Sequence, residues 1–302
     1  MNSFDKTGLD SILNALFEPY RQRVPDVKKV INAMLEHGII ENESDIVNDH
    51  IAFRTLGIPN LGIASFEKIL LKYGYIKRDP YLFEKKKLNA FWYEPPTADY
   101  PRVFLSELRV NELSSEAQAI IEKYTAHINA DPIDLIDLDD YESVGNFFYN
   151  PLWELPTISD YQTLLAESEY AAWVIYNRYY LNHYTISVHA LPEPYCNLES
   201  FDAFLESQGI VLNTSGGKIK ISADGLLKQS SSVAKMIKAT FAGGETTEIA
   251  GSYVEFAERL PLPEFADLPK ETLTNKHRRQ GFESANADKI FESTYLEQTR
   301  KN

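Results

Sequence analysis

The sequence has a single cysteine, Cys196, among 302 residues. That rules out an internal disulfide and any Cys-rich zinc site, and it suits a reducing compartment. No apolar run approaches the length needed to span a bilayer. Met1 to Tyr20 carries Asp5 and Asp10 and lacks the basic start and continuous apolar core of a secretory signal. The expectation is a cytoplasmic protein with no membrane partner. Positive charge is also short: 30 Lys and Arg stand against 44 Asp and Glu, a net charge of -14. Phosphate surfaces draw on clustered cations, so nucleic acid is disfavoured as a partner. There is no Gly-x-Ser-x-Gly elbow, no His-Glu-x-x-His and no usable Cys-His pair, which leaves a hydrolase poorly supported. The acidic run from Asp131 to Glu142 lacks the spacing of a calcium loop and reads as a solvated turn.

What the chain does have is 44% hydrophobic residues, enough for a core, and a repeat. Asp49-His50-Ile51-Ala52-Phe53-Arg54-Thr55 alternates as a strand, with Ile51 and Phe53 on one face and His50, Ala52 and Arg54 on the other. Backbones four residues apart on a strand are roughly 13 Å apart. A small acid would fit between a metal on His50 and the Arg54 guanidinium, which pairs bidentately with carboxylates. Asn182-His183-Tyr184-Thr185-Ile186-Ser187-Val188 repeats the pattern. Each copy leads to a helix with a serine at or near its N-cap and a glycine stop: Ser65 to Gly74, and Ser200 to Gly209. Strand candidates then close each module, on Arg102 to Val110 and on Gly251 to Arg259.

The fold class expected is α+β: paired βαβββ modules forming a cupped mixed sheet, with added helices. As one domain over 1–302, the chain divides into N-terminal helices (1–47), a first module (48–110), a helical insertion (111–178), a second module (179–260) and a C-terminal docking tail (261–302). The first helix is expected to run into a loop at Pro19, and His37 to sit at a helix C-terminus. The aromatic stretch from Ser159 to Tyr180 reads as core packing.

Each module offers a histidine on its first strand and a carboxylate on its last, with Glu255 placed opposite Glu107 in the repeat. Two histidines and one carboxylate leave coordination positions free, as iron(II) oxygenases require. His50, His183 and Glu255 are the candidate ligands, and together with Arg54 they would also contact the substrate. Adding Glu107 would instead give a closed four-ligand site, suited to a nickel or zinc lyase or isomerase. A protein that binds a small acid without turnover is the third reading. His189 lies too far along its strand to share the ion with His183. Gln229 and Ser231 could add hydrogen bonds to a bound acid.

Asp49-His50 with Arg54, Asn182-His183-Tyr184-Thr185, Ser106-Glu107-Leu108-Arg109, Tyr253-Val254-Glu255-Phe256 and the tail motifs Arg278-Arg279-Gln280-Gly281-Phe282 and Ile290-Phe291-Glu292-Ser293-Thr294 occur in this order. The set resembles the 2-oxoadipate dioxygenase/decarboxylase family of the vicinal oxygen chelate superfamily. The resemblance implies an Fe(2+) cofactor on His50, His183 and Glu255, and Arg54 as the arginine that binds substrate. It also implies dioxygen as co-substrate and conversion of 2-oxoadipate to 2-hydroxyglutarate with loss of carbon dioxide.

Overall fold

The structure, a computed structural model, describes residues 6–301. Among the described residues ten strands form: β1 (Asn48–Leu56), β2 (Ile76–Phe83), β3 (Leu88–Glu94), β4 (Arg102–Leu108), β5 (His183–Ser187), β6 (Lys220–Ile221), β7 (Leu227–Ser231), β8 (Met236–Thr240), β9 (Thr246–Ala250) and β10 (Tyr253–Arg259). The helices are α1 (Lys6–Arg23), α2 (Pro25–Glu36), α3 (Ile63–Lys72), α4 (Ser115–Thr125), α5 (Tyr141–Phe147), α6 (Ile158–Glu167), α7 (Glu169–Asn177), α8 (Leu198–Ser207), α9 (Ser284–Phe291) and α10 (Leu296–Thr299). None of the described helices is long and apolar enough to cross a membrane.

Eight strands make one mixed sheet in the order β2-β3-β4-β1-β5-β10-β7-β6, with β8 and β9 apart as a hairpin. The two halves mirror each other about the antiparallel β1–β5 seam, and in each half the histidine strand pairs in parallel with the closing strand. Each module's helix covers the back of its half. Phe66 of α3 packs on Phe53 of β1 at 4.7 Å between ring centroids, and Phe201 of α8 packs on Phe256 of β10 at 5.5 Å. Burying each such ring contributes about 2–3 kcal/mol, and both rings of each pair are fully buried.

The helix caps differ from expectation. Ser65 and Ser200 lie inside the first turns, where Ser65 Oγ donates to Asp131 and the Ser200 amide donates to the Asn197 side chain. The first amides of the helices are taken instead by acids from the sheet: Glu107 accepts from Ile63 N at 2.9 Å, and Glu258 accepts from Leu198 N at 2.9 Å. A negative group at a helix N-terminus also meets the favourable end of the macrodipole. Gly62 leaves room for this contact, since a Cβ there would lie 2.6 Å from Glu107 Oε2.

α1 runs through Pro19 instead of stopping there. Tertiary contacts hold the turn that a proline would otherwise weaken: the buried Tyr20 hydroxyl donates to the Tyr253 carbonyl and accepts from Tyr184 N. His37 caps α2, its Nδ1 donating to Ala33 O at 2.9 Å. The acidic run is used locally, with Asp140 capping α5 and Lys68 and Lys72 pairing with Asp131, Asp134 and Asp139.

Candidate metal centre

His50, His183 and Glu255 converge on the concave face of the sheet, all buried, with one potential ligand atom from each lying within 4.8 Å of the others. The register explains the convergence. Ala52 of β1 faces His183 of β5, and Thr185 of β5 lies between His50 of β1 and Glu255 of β10. The two Nε2 atoms are 3.4 Å apart, His50 Nε2 is 3.4 Å from Glu255 Oε1, and His183 Nε2 is 3.1 Å from Glu255 Oε2. Ligands at adjacent positions around a metal with bonds near 2.1 Å are about 3 Å apart, so the donor set fits a divalent cation held on one face. Among the described residues Glu255 Oε2 finds no well-formed hydrogen bond despite being fully buried, which leaves lone pairs aimed at the cluster.

Each ring is oriented from behind. His50 Nδ1 donates to Asp49 at 2.8 Å, and His183 Nδ1 donates to the Asn182 side-chain carbonyl at 3.1 Å. Both rings therefore turn Nε2 inward. Adjacent side chains of a regular strand point to opposite faces; here the β1 register slips between Asn48 and His50, which lets Asp49 reach the ring beside it. Asp49 is in turn gripped by Arg259 through two hydrogen bonds of 2.7 and 2.9 Å, and approached by Arg102 at 3.4 Å.

The local charges separate the two histidines. Burial pushes the His50 pKa down, but Glu255 and Asp49 outweigh it and the net shift is upward. His183 is driven well below its ordinary value by burial, with the positive His50 and Arg54 adding to the effect. Burial favours the protonated form of Asp49, yet Arg259, Arg102 and His50 hold its carboxyl well below the usual range. A cation entering the cluster therefore competes with a proton at His50, while His183 offers a free lone pair.

Arg54 faces the same pocket, 1% exposed. Its guanidinium donates to Thr294 Oγ1 at 3.0 Å and to Phe291 O at 3.1 Å, and it lies 5.2 Å from the ring centres of both Tyr170 and Trp173. Among the described residues no carboxylate comes within ion-pair distance of it. Glu169 senses its charge but accepts from Leu296 N instead. Ala52, Phe104, Phe282, Ala287, Ile290 and Phe291 supply the apolar walls of the pocket.

The remaining sequence candidates go elsewhere. Glu107 lies on the opposite face of β4 from the pocket residues Phe104 and Ser106, bonded to Ile63 N and Asn89, and takes no part in the three-residue cluster. Its counterpart in the second half is Glu258. Parallel registers align Ala52 with Phe104 and Thr185 with Glu255, so the position matching Glu255 is Phe104. The expected pairing of Glu255 with Glu107 is thus off by three residues. Arg109, the neighbour of Glu107 just past the end of β4, pairs with Glu112 and Glu84. Gln229 donates to Glu255 Oε1 at 2.7 Å and accepts from Asn286, so it fixes the carboxylate from behind. Ser231 bonds Ser293 at 2.8 Å. β5 ends at Ser187, and His189 sits in the turn beyond it, where its Nδ1 accepts from Arg259 N.

Sequence reading did not assign the parts played by Asp49, Arg259, Arg102 and Asn286, nor those of Tyr170 and Trp173 beside Arg54. The acid or amide before each histidine was a usable signal. The others come from distant segments and leave no local pattern.

Residues 12–270 match the model of the 2-oxoadipate dioxygenase/decarboxylase family. The chain is 42% identical over 299 residues to the chloroplastic 2-oxoadipate dioxygenase/decarboxylase of Arabidopsis thaliana, covering 95% of this chain and 78% of that protein. It also superposes on the crystal structure of hydroxyglutarate synthase from Oryza sativa in complex with 2-oxoadipate, with a TM-score of 0.89 and 40% identity, covering 98% of this chain and 96% of the other. A protein from Ralstonia eutropha JMP134 described as belonging to the glyoxalase superfamily shares the fold at 21% identity, with a TM-score of 0.70 and coverage of 90% and 85%. The chloroplastic name of the Arabidopsis relative overturns the cytoplasmic expectation, which rested only on missing sequence signals. At this level of identity and coverage, the chain belongs to the 2-oxoadipate dioxygenase/decarboxylase family.

Proposed function

We propose that this chain is an iron(II)-dependent dioxygenase/decarboxylase that converts 2-oxoadipate to 2-hydroxyglutarate, with His50, His183 and Glu255 as metal ligands and Arg54 as the clamp on the remote carboxylate. The observation that carries the reading is a buried guanidinium, with no carboxylate partner among the described residues, on the same face of the sheet as three converging donors. An unpaired buried charge is costly, and a substrate carboxylate would relieve that cost. Iron(II) held there would chelate the 2-oxo acid and activate dioxygen, the electrons that reduce it coming in the balance from the substrate.

The chain's own residues do the rest. Arg54 fixes one end of the diacid, with Tyr170 and Trp173 flanking the guanidinium. Phe104, Phe282 and Phe291 keep water from the reacting end. Asp49 and Gln229 hold His50 and Glu255 in place from behind. The reaction balances as a six-carbon oxo diacid plus dioxygen giving a five-carbon hydroxy diacid plus one carbon dioxide. The departing carbon dioxide carries the original carboxylate oxygens, so both atoms of dioxygen remain in the product.

The test is anaerobic loading with iron(II), followed by air and a panel of 2-oxo acids. Equal uptake of oxygen and release of carbon dioxide is expected with 2-oxoadipate, with two labelled oxygens in the product when the gas is labelled. Absence of oxygen uptake with every acid in the panel would remove the reading.

A further inference from the structure

Asp49 is held by two arginines, and each arginine is held by the same stretch of the C-terminal segment. Arg259, 0% exposed, spends Nε and Nη2 on Asp49 and gives Nη1 to the carbonyls of Arg279 at 3.0 Å and Gly281 at 2.8 Å. Arg102 reaches Asp49 with Nη1 and gives Nε and Nη2 to Gln280 Oε1 at 3.2 and 2.5 Å. Gly281 takes a φ of +66°, a left-handed turn at the point where the stretch gives its carbonyl to Arg259. The next residue, Phe282, stands edge-on to the His50 ring at 4.8 Å. The same segment continues to Asn286, which bonds the amide holding Glu255, and to Phe291 and Thr294, which hold Arg54. His183 differs. Its Nδ1 is held by Asn182, whose side-chain amide nitrogen makes no hydrogen bond among the described residues, and its ring packs on Tyr253 at 4.8 Å, with no hydrogen bond or ring contact to the 278–282 stretch.

We propose that residues 278–282 are a working part of the metal centre: through Arg259 and Arg102 they set the Asp49–His50 pair, so the affinity of the site for its ion depends on this strap being seated. The inference rests on the metal reading given above. Arg259 and Arg102 are positioning residues here. They touch neither the ion nor the substrate, and act by fixing the direction in which His50 offers Nε2. A carboxylate behind a ligating histidine makes it a stronger donor as well as a fixed one, and losing such support costs roughly 10- to 100-fold in metal affinity. Coupling of this kind is reciprocal: an ion that binds better when the strap is docked must also stabilise the docked strap.

The experiment is a cobalt(II) titration of the full-length protein, read by visible absorption and by competition with a chelator, for wild type, His183→Ala, Arg259→Lys and Gln280→Ala. The thermal midpoint of each metal-free protein is measured alongside. Wild type is expected to bind one ion and His183→Ala none. Arg259→Lys keeps the charge but loses the fork, and is expected to weaken binding by about 10- to 100-fold and alter the cobalt spectrum. Gln280→Ala, which leaves both arginines in place, is expected to weaken binding about 3- to 10-fold with little change in thermal midpoint. Cobalt(II) is also expected to slow amide hydrogen exchange at residues 279 and 282 in the wild type. Wild type that takes up no cobalt would fell the metal reading itself. Wild type that binds, with folded variants matching it in affinity and spectrum, would overturn this proposal alone. Should Arg259→Lys fail to fold, Gln280→Ala and the exchange measurement decide.

Discussion

The two halves of the sheet share a frame and differ in what they present to the pocket. Both put a histidine at the same place on the seam strand, and both use a glutamate on the closing strand to cap their helix, Glu107 on α3 and Glu258 on α8. At the remaining pocket positions they diverge. Glu255 in the second half matches Phe104 in the first; Arg54 in the first matches Ser187 in the second; Asp49 behind one histidine matches Asn182 behind the other. Of the pairs kept alike, the glutamates cap the module helices and the histidines are metal ligands in the reading proposed above; the pairs that differ set how many carboxylates and cations the pocket offers. In the proposed reading, one carboxylate in place of two would keep coordination positions free, and one arginine in place of two would give the pocket a direction.

The largest expected effects come from breaking the divergent pairs. Phe104→Glu would place a second carboxylate where the repeat has room for one. It is expected to retain or tighten cobalt(II) binding while lowering turnover of 2-oxoadipate by about 100-fold or more, because an open position is closed. Glu255→Ala is expected to lose both binding and turnover. If Phe104→Glu keeps full activity, the vacant position has no role in the reaction. Next in size is Arg54→Gln, expected to raise the KM for 2-oxoadipate by about 100-fold, some 3 kcal/mol, and to affect a 2-oxo acid with no second carboxylate far less. Ser187→Ala, at the matching position, is expected to change neither.

Substitutions at the conserved pair sharpen the comparison from the other side. Glu107→Gln and Glu258→Gln are each expected to cost about 1–2 kcal/mol of stability by chemical denaturation and to leave cobalt(II) affinity unchanged. Loss of metal binding in Glu107→Gln would revive the four-ligand site that its place on β4 argues against.

These contrasts also mark how far the sequence could be read. The histidines were legible because strand alternation and the repeated helix locate them without any knowledge of pairing. Arg54 followed from the same alternation. The misplacement of Glu107 has a physical origin: matching the closing strands by their acids ignores register, and a shift of an odd number of residues moves a side chain to the other face of the sheet. Asn286, Arg259 and the strap were out of reach, since their roles are set by contacts across 20 to more than 200 residues of chain. The aromatic stretch was read as core, and Tyr161, Tyr170, Trp173 and Tyr179 are buried while Tyr176 is partly so. What burial alone could not tell is that Tyr170 and Trp173 pack around a charge.

The contrast farthest from the pocket concerns two acids at matching places on the module helices. Glu67 of α3 accepts from the Tyr93 hydroxyl at 2.6 Å and pairs with Lys77 at 2.7 Å. Asp202 of α8 accepts from the Ser230 hydroxyl at 2.7 Å, but its second oxygen has no partner and no cation lies within ion-pair distance among the described residues. Burial therefore raises its pKa to about 7. An unfolded aspartate ionises near 3.8, so between about pH 4 and about pH 7 the folded chain keeps a proton that the unfolded chain releases. This group's contribution to stability is full below that window, falls as pH rises through it, and levels off above about 7. Asp202→Asn retains an acceptor for Ser230 and removes the titration. It is expected to stabilise the protein by about 2 kcal/mol at pH 8 and by much less at pH 5, as measured by denaturant unfolding at the two pH values. Glu67→Gln, which gives up an ion pair, is expected to go the other way at pH 8. If both variants shift stability alike at both pH values, the unpaired state of Asp202 is not what separates the two helices.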